Sequence, residues 1–176
     1  MEMVVRVGTS CVHKQWSVRA TYMTAIQFTV THHFDAPSRL VWDEMIDWQS
    51  HAQWIPATRV EVDGDGPAHS VDDTFTGYTG YGPATLVDRM RVSEIDWNDE
   101  TGVGSCEVEK LGPVLHGTAG FTVTPDGDGC RVDWFEKVTV KYLPRVVAPV
   151  VSKASAAGFG FGMKRLAKVI DAGTQT

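Results

Sequence analysis

Residues 34–56 read FDAPSRLVWDEMIDWQSHAQWIP, and this stretch decides the fold of the chain. It begins where a predicted strand ends, at Phe34, and its apolar residues then recur at helical spacing. Pro37 suits the first turn of a helix, and Pro56 ends a second short helix predicted over Trp48 to Trp54. The stretch therefore predicts two short helices that interrupt a series of strands.

The chain around this stretch alternates apolar and polar residues in period two and ends in one long helical pattern. This alternation predicts strands at 26–34, 57–63, 72–79, 84–96, 103–111, 115–124 and 130–141. The connections DGDGP, YTGYGP, WNDETG and PDGDG are rich in Gly, Asp and Pro, which favours antiparallel hairpins. The final helix is predicted from about Val146 to Asp171, with Pro149 in its first turn. It would span roughly 30–40 Å at a rise of 1.5 Å per residue, enough to cross a sheet.

Composition limits the function classes. A chain of 176 residues fits one domain with a substantial core, and a net charge of −6 argues against a nucleic-acid binder. No apolar run reaches the length that spans a bilayer, so no stable membrane insertion is expected. Cys11, Cys106 and Cys130 have no CxxC spacing, which predicts reduced thiols and a cytoplasmic protein.

The histidines and serines do not form a recognisable catalytic or metal-binding motif. The six histidines show no HxxxH or HExxH spacing. His32 and His33 are adjacent on a predicted strand and project to opposite faces, so they cannot hold one metal together. There is no GxSxG elbow for a serine nucleophile. Neither a metal nor a cofactor is predicted.

The N-terminal residues differ from the rest of the chain. Met1 to Tyr22 mixes basic residues with short apolar pieces, and the first convincing strand begins near Ile26. Residues 1–24 are therefore expected to be a poorly structured extension, unless Met23 is the true start. A single domain is expected over 25–172.

Several segments resemble the SRPBCC superfamily, which includes START, polyketide cyclase and Bet v 1-like proteins. The resemblance rests on DAPSRLVWDEMIDWQSHAQWIP at 35–56, TGYTGYGPATLVDRMRV at 76–92, GPVLHGTAGFTVTP at 112–125, RVDWFEKV at 131–138 and the terminal helix. Within this superfamily, the chain resembles small actinobacterial polyketide cyclase/dehydrase-like proteins. The resemblance implies an α+β helix-grip fold: a seven-stranded curved antiparallel sheet around a long C-terminal helix, with two short helices between strands 1 and 2. It also implies a hydrophobic cavity, but it transfers no mechanism, because the fold hosts many functions.

Three charged residues share the inward phase of apolar neighbours on three predicted strands: Asp88, Lys110 and Glu136. If the WNDETG hairpin pairs Ile95 with Val103, Asp88 faces Lys110 directly. Buried charges must pair or change protonation state. The three residues are thus candidates for orienting a polar ligand group or for acid/base catalysis, with a structural ion pair at the cavity rim as the simpler interpretation.

His32 also lies in the apolar phase and is predicted to meet Glu136 if the first and last strands pair. The GFGFG run at 158–162 is interpreted mainly as close backbone packing, with room for a ligand as the alternative. His116 is expected at the rim or surface. The full set of predicted ligand-binding residues is Trp134, Glu136, Lys110, Asp88, Met90, Val108, Phe121, Tyr81, His32 and Phe159.

The leading hypothesis is a non-enzymatic protein that binds a hydrophobic small molecule, such as a lipid, a polyketide-like compound or an isoprenoid. The alternative is a polyketide cyclase or dehydratase that uses Glu136, Asp88 or Lys110 as acid/base groups. A third interpretation is a co-chaperone-like interaction module whose interior is filled. The sequence leaves the ligand and the oligomeric state open.

Overall fold

The computed structural model describes residues 23–64 and 66–173. The expectation for residues 1–22 lies outside the described residues. The first strand, β1, spans Met23–Phe34, so it begins before the predicted Ile26 and includes two residues that were assigned to the extension. The Thr24 hydroxyl donates a 2.6 Å hydrogen bond to the Leu143 carbonyl, which ties the start of β1 to the segment that leads into the last helix.

The element order in the described chain follows the predicted pattern. Two short helices, α1 (Ser38–Ile46) and α2 (His51–Trp54), follow β1. The remaining strands are β2 (Thr58–Val62), β3 (Thr74–Thr79), β4 (Leu86–Asn98), β5 (Val103–Leu111), β6 (Leu115–Asp126) and β7 (Gly129–Lys141). The long helix α3 spans Ala148–Gly173 and is preceded by a 3₁₀ turn at Arg145–Val147.

All seven strands form one antiparallel sheet in the order β1-β7-β6-β5-β4-β3-β2. Sequential hairpins build β2 to β7, and β1 then pairs with β7 from Met23–Lys141 to Phe34–Cys130. Helix α3 packs mainly against β1. The predicted α+β helix-grip fold is confirmed.

The predicted pairing of Ile95 with Val103 is wrong. Ile95 lies opposite Cys106, and Val103 pairs with Asn98. Strand β4 runs to the turn because the Asn98 side-chain oxygen accepts hydrogen bonds from the amides of Glu100 and Thr101. The loop is consequently shorter than the WNDETG motif indicated.

The buried face of helix α1 packs against β6 and β7. Val41, Trp42 and Met45 are the buried residues of this helix. A Cβ atom on Gly104 would lie 2.4 Å from the Trp42 ring, so only glycine lets the indole lie against this strand. Trp42, Trp48 and Trp54 are all buried in the core.

Helix α3 is long and apolar enough, by length and composition, to cross a membrane, a property that core helices of soluble proteins share. Its buried residues are Gly162, Met163, Leu166 and Ile170, all in the C-terminal half. The predicted close packing of the GFGFG run holds at Gly162, where an added Cβ would touch Trp54 at 3.5 Å. It fails at Gly158, where an added Cβ would meet nothing within 4 Å.

Candidate ligand-binding cavity

Two adjoining pockets lie between the sheet and α3. The first, which we call the inner pocket, has a volume of about 90 Å³, and its aromatic lining includes Trp48, His51, Phe75, Phe121 and Trp134. The second, the outer pocket, has a volume of about 410 Å³, and its lining includes Phe28, Leu115, Val138, Val140, Val151 and Ser155. Six residues line both pockets: Ile55, Thr79, Asp88, Lys110, Glu136 and Phe159.

The three predicted inward charges meet at the boundary of the two pockets. The Lys110 Nζ lies 2.5 Å from the Asp88 Oδ2 and 3.7 Å from the Glu136 Oε1. The exposed fractions of the side chains of Lys110, Asp88 and Glu136 are only 4%, 15% and 11%. We call these residues the charged trio. Strand phase predicted that all three face inward, whereas the prediction that Asp88 meets Lys110 also used the pairing of Ile95 with Val103.

The register explains why the Asp88–Lys110 contact forms although the predicted pairing was wrong. Met90, not Asp88, lies opposite Lys110. Asp88 is thus a diagonal neighbour two residues along the strand, within reach of a long lysine side chain. A register error of two residues keeps every side chain on the same face of the sheet, whereas an error of one would have turned Asp88 outward.

Small residues on β6 let the trio close across a strand. Ala119 lies between Val108 on β5 and Glu136 on β7. Its methyl group leaves the space above β6 free, so the lysine amine approaches the glutamate from two strands away. Gly117 is the β6 partner of Lys110 itself.

Electrostatics within the trio favour a charged lysine and a weakly acidic glutamate. Burial by itself lowers the pKa of Lys110, but the charges of Glu136 and Asp88 outweigh it and raise the pKa. Burial raises the pKa of Glu136, the Asp88 charge adds to the rise, and Lys110 opposes it. The pKa of Glu136 is raised overall, because the lysine ammonium that opposes the rise lies closer to Asp88 than to Glu136.

Hydrogen bonding in the trio is incomplete. The 3.7 Å separation between Lys110 and Glu136 is too long for a hydrogen bond. Within the described chain, the Asp88 Oδ1 and the Trp134 Nε1 are buried without a hydrogen-bond partner. Buried polar groups in proteins are normally paired. Unused hydrogen-bonding capacity therefore lies at the boundary between the pockets, on Asp88, and on the wall of the inner pocket, on Trp134.

Sequence reasoning missed His51, which lines the inner pocket. Its Nε2 lies 2.9 Å from the Met45 carbonyl oxygen, which can only accept, so the proton is on Nε2. Burial lowers the pKa of His51 to about 4, and the ring is neutral. The spacing of Trp48, His51 and Trp54 by three residues is a helical pattern that would have placed all three on one face.

Eight of the ten predicted ligand-binding residues line the inner pocket: Asp88, Met90, Val108, Lys110, Phe121, Trp134, Glu136 and Phe159. Trp134 stacks between Phe121 and Phe159, at ring distances of 5.8 and 4.9 Å. These three rings form an aromatic wall of the pocket that the charged trio also lines.

Tyr81 and His32 lie outside both pockets. Tyr81 is 80% exposed, because it stands in the turn beyond the end of β3. The predicted contact between His32 and Glu136 is wrong, since His32 pairs with Val132 while Phe28 lies opposite Glu136. Burial, assisted by Lys164 and His33, lowers the pKa of His32.

The other candidate groups show little reactivity. Burial raises the pKa of Cys106 to about 12 and that of Cys130 to about 11, so both stay protonated thiols at neutral pH. Among residues 23–64 and 66–173, no cluster of three or more His, Cys, Asp or Glu side chains has a metal-binding arrangement. His116 is exposed, as predicted. The chemistry of the cavity is therefore that of the charged trio and its aromatic wall.

Three solved structures show the same fold. The protein TTHA0849 from Thermus thermophilus matches with a TM-score of 0.67 and 13% identity, over 84% of this chain and 98% of that one. The Zhui aromatase/cyclase from Streptomyces sp. R1128 matches with a TM-score of 0.59 and 15% identity, over 85% and 94%. The STAR-related lipid transfer protein from Xanthomonas axonopodis matches with a TM-score of 0.57 and 16% identity, over 82% and 85%. At these identities the similarity concerns the fold alone.

No curated protein sequence matches the chain. The sequence profile of the family described as "Polyketide cyclase / dehydrase and lipid transport" matches residues 25–171. This match covers nearly all of the described residues and includes every element that builds the two pockets. The chain therefore belongs to the polyketide cyclase/dehydrase and lipid transport family, within the SRPBCC superfamily.

Proposed function

We propose that this protein binds a hydrophobic small molecule, such as a lipid, a polyketide-like compound or an isoprenoid, in the inner and outer pockets. The observation that carries the proposal is the unfilled apolar space between the sheet and α3, about 90 and 410 Å³ in the two pockets. Ligand sites in proteins are mostly apolar, with a few convergent polar groups. The aromatic and aliphatic walls and the charged trio match that description.

The binding energy would come mainly from the apolar walls. Each 100 Å² of apolar ligand surface that leaves water contributes roughly 2.5 kcal/mol, before the entropic cost of association. Phe28 and Phe159, whose rings lie 5.6 Å apart, offer such surface where α3 faces β1. The charged trio would then orient the ligand rather than supply most of the affinity.

Titration with Nile red, a neutral apolar dye, tests this proposal. Ser155 lies on α3 and lines the outer pocket, so Ser155→Trp places an indole in that space. The adjacent Ala154 is exposed and lines neither pocket, which makes Ala154→Trp the matched control. We expect saturable binding to the native protein and to the control, and at least a tenfold weaker affinity in Ser155→Trp.

Two results would count against binding in these pockets. One is the absence of saturable dye binding to the native protein. The other is equal affinity in the Ser155 and Ala154 variants, which would place the dye elsewhere on the surface. Circular dichroism of both variants checks that the helix remains intact.

A polyketide cyclase or dehydratase activity is the second candidate. The observation that favours it is the buried Glu136, whose pKa burial raises, next to the lysine ammonium. A carboxyl group with a raised pKa suits general acid/base catalysis near neutral pH. The similar fold of the Zhui aromatase/cyclase supports the same candidate. Turnover of a poly-β-ketone mimic that is lost in Glu136→Gln, with the apolar dye still bound, would establish this activity.

The third interpretation, a co-chaperone-like module, required a filled interior. The two open pockets therefore favour the first two candidates. The partner in this proposal is a hydrophobic small molecule, and the protein is not expected to bind nucleic acid. We place the protein in the cytoplasm, where the two buried thiols at Cys106 and Cys130 stay reduced.

A further inference from the structure

We infer that the ligand is a neutral molecule with an internal hydroxyl group, flanked on both sides by apolar parts, and that Glu136 is its polar anchor. The inference rests on the proposed binding function and specifies its ligand class. It follows from three features of the charged trio: its place between the pockets, its net charge and the unused hydrogen-bonding capacity of Glu136.

The place of the trio decides where the ligand is polar. Asp88, Lys110 and Glu136 line both pockets, whereas most of the aromatic residues of the inner pocket and the aliphatic residues of the outer pocket line only one. A ligand that fills both pockets thus passes the trio at an internal position and not at one of its ends. A fatty acid or phospholipid, with one polar end, would place apolar atoms against these charges.

The charge of the trio argues against an anionic ligand. Two carboxylates share one ammonium, which lies 2.5 Å from Asp88 and at ion-pair distance, 3.7 Å, from Glu136. The trio therefore carries no positive charge to spare for a carboxylate or phosphate, which Asp88 and Glu136 would repel at short range. A neutral ligand avoids this repulsion.

The hydrogen bonding of Glu136 indicates a hydroxyl. Glu136 lines both pockets, and its ion pair in the described chain is with the lysine amine at 3.7 Å, beyond hydrogen-bond distance. A hydroxyl can donate to the Glu136 carboxyl group whether it is ionised or protonated, whereas a ketone needs the protonated form. The hydroxyl oxygen keeps its lone pairs free for the neighbouring Trp134 indole, whose N–H has no acceptor among the described residues.

Four compounds with one phenyl ring and an eight-carbon chain test the inference: octylbenzene, 1-phenyloctan-1-ol, its isomer 8-phenyloctan-1-ol, and 8-phenyloctanoic acid. Displacement of Nile red, checked by calorimetry, gives their affinities. We expect 1-phenyloctan-1-ol to bind about tenfold more tightly than its terminal isomer, the size of effect expected for one hydrogen bond to a charged group. The acid should bind most weakly.

Two Glu136 variants separate the anchor role from general packing. Glu136→Met removes the hydrogen bond and should abolish the preference for the internal hydroxyl while octylbenzene still binds. Glu136→Gln keeps hydrogen bonding and should keep that preference while admitting the acid at least several-fold better. Glu94→Gln, an exposed glutamate on β4, is the matched control and should behave as the native protein.

The outcomes distinguish this inference from the proposed function. If Nile red, octylbenzene and the alcohols all fail to bind, the binding function itself is wrong. If Nile red binds but none of these compounds displaces it, only the inference is overturned. If they bind with equal affinity, if the acid binds best, or if folded Glu136→Met keeps the hydroxyl preference, only the inference is overturned. Should Glu136→Met fail to fold, Glu136→Gln and the isomer pair decide the question.

Discussion

The two halves of helix α3 have different surroundings. The C-terminal half contributes Gly162, Met163, Leu166 and Ile170 to the buried core. In the N-terminal half no residue is fully buried, and Val151, Ser155, Gly158 and Phe159 line the outer pocket instead. The same helix therefore seals the core at one end and covers a cavity at the other.

This difference indicates that one half of α3 contributes mainly to the stability of the fold and the other half mainly to ligand binding. Helix α2 packs against the C-terminal half, where Arg165 donates a 2.6 Å hydrogen bond to the Gln53 carbonyl. The N-terminal half faces β1, where Ser152 donates a 2.8 Å hydrogen bond to the Gln27 carbonyl and Phe159 packs against Phe28. We expect substitutions in the C-terminal half to change folding, and those in the N-terminal half to change mainly ligand binding.

Truncation of one side chain in each half gives the largest expected effect. Leu166 has no exposed surface, and Leu166→Ala should lower the free energy of unfolding by about 3 kcal/mol through lost burial and the cavity left behind. Val151 is only half-buried, so Val151→Ala should lower it by less than about 1 kcal/mol. Urea unfolding followed by circular dichroism measures both. Equal losses would mean that the two halves contribute equally to the core.

Acidic pH should destabilise the folded protein through His51, which lies on α2, the helix that packs against α3. Burial lowers the pKa of His51 to about 4, while an unfolded histidine titrates near pH 6.5. Between these values the unfolded chain binds a proton that the folded protein excludes, so stability falls as the pH drops from about 6.5 to 4. The linked loss is about 3 kcal/mol at the lower limit.

Urea unfolding at a series of pH values tests the His51 effect. His51→Gln keeps a side-chain amide that can donate to the Met45 carbonyl and does not titrate, so its stability should depend less on pH in this range. His116→Gln, at an exposed position, is the control and should keep the native pH dependence. An unchanged pH profile in His51→Gln would show that other groups govern the acid sensitivity.

Period-two alternation was sufficient to predict the strands and the inward charges, whereas the single seven-stranded sheet was implied by the family resemblance. Each side chain of a strand points to one of two faces, so Asp88, Lys110 and Glu136 could be assigned to the interior without coordinates. The assignment survived the error in the pairing of Ile95, because the register near the trio differed by two residues and not by one.

Positions along the strands could not be predicted in the same way. Phase placed His32 on the correct face, yet its distance from Glu136 depends on the β1–β7 register, which pairs Phe28 with Glu136. His51 was missed although its spacing from Trp48 and Trp54 is helical, because a four-residue helix does not by itself indicate which of its faces meets the cavity. Whether Gly158 meets a wall or open space depends on the tilt of α3 over the sheet, which the glycine pattern does not encode.

The smallest expected effect is a gain of stability from a substitution in the N-terminal half of α3. An added Cβ on Gly158 meets nothing within 4 Å, so Gly158→Ala should raise the free energy of unfolding by up to about 1 kcal/mol through helix propensity alone. The same change at Gly104, where the Cβ would lie 2.4 Å from the Trp42 ring, should lower it by about 1–3 kcal/mol through overpacking. Thermal unfolding of both variants compares the two signs. A loss of stability in Gly158→Ala would mean that the N-terminal half of α3 packs as closely as the C-terminal half. The proposed difference between a half that seals the core and a half that covers the cavity would then be wrong.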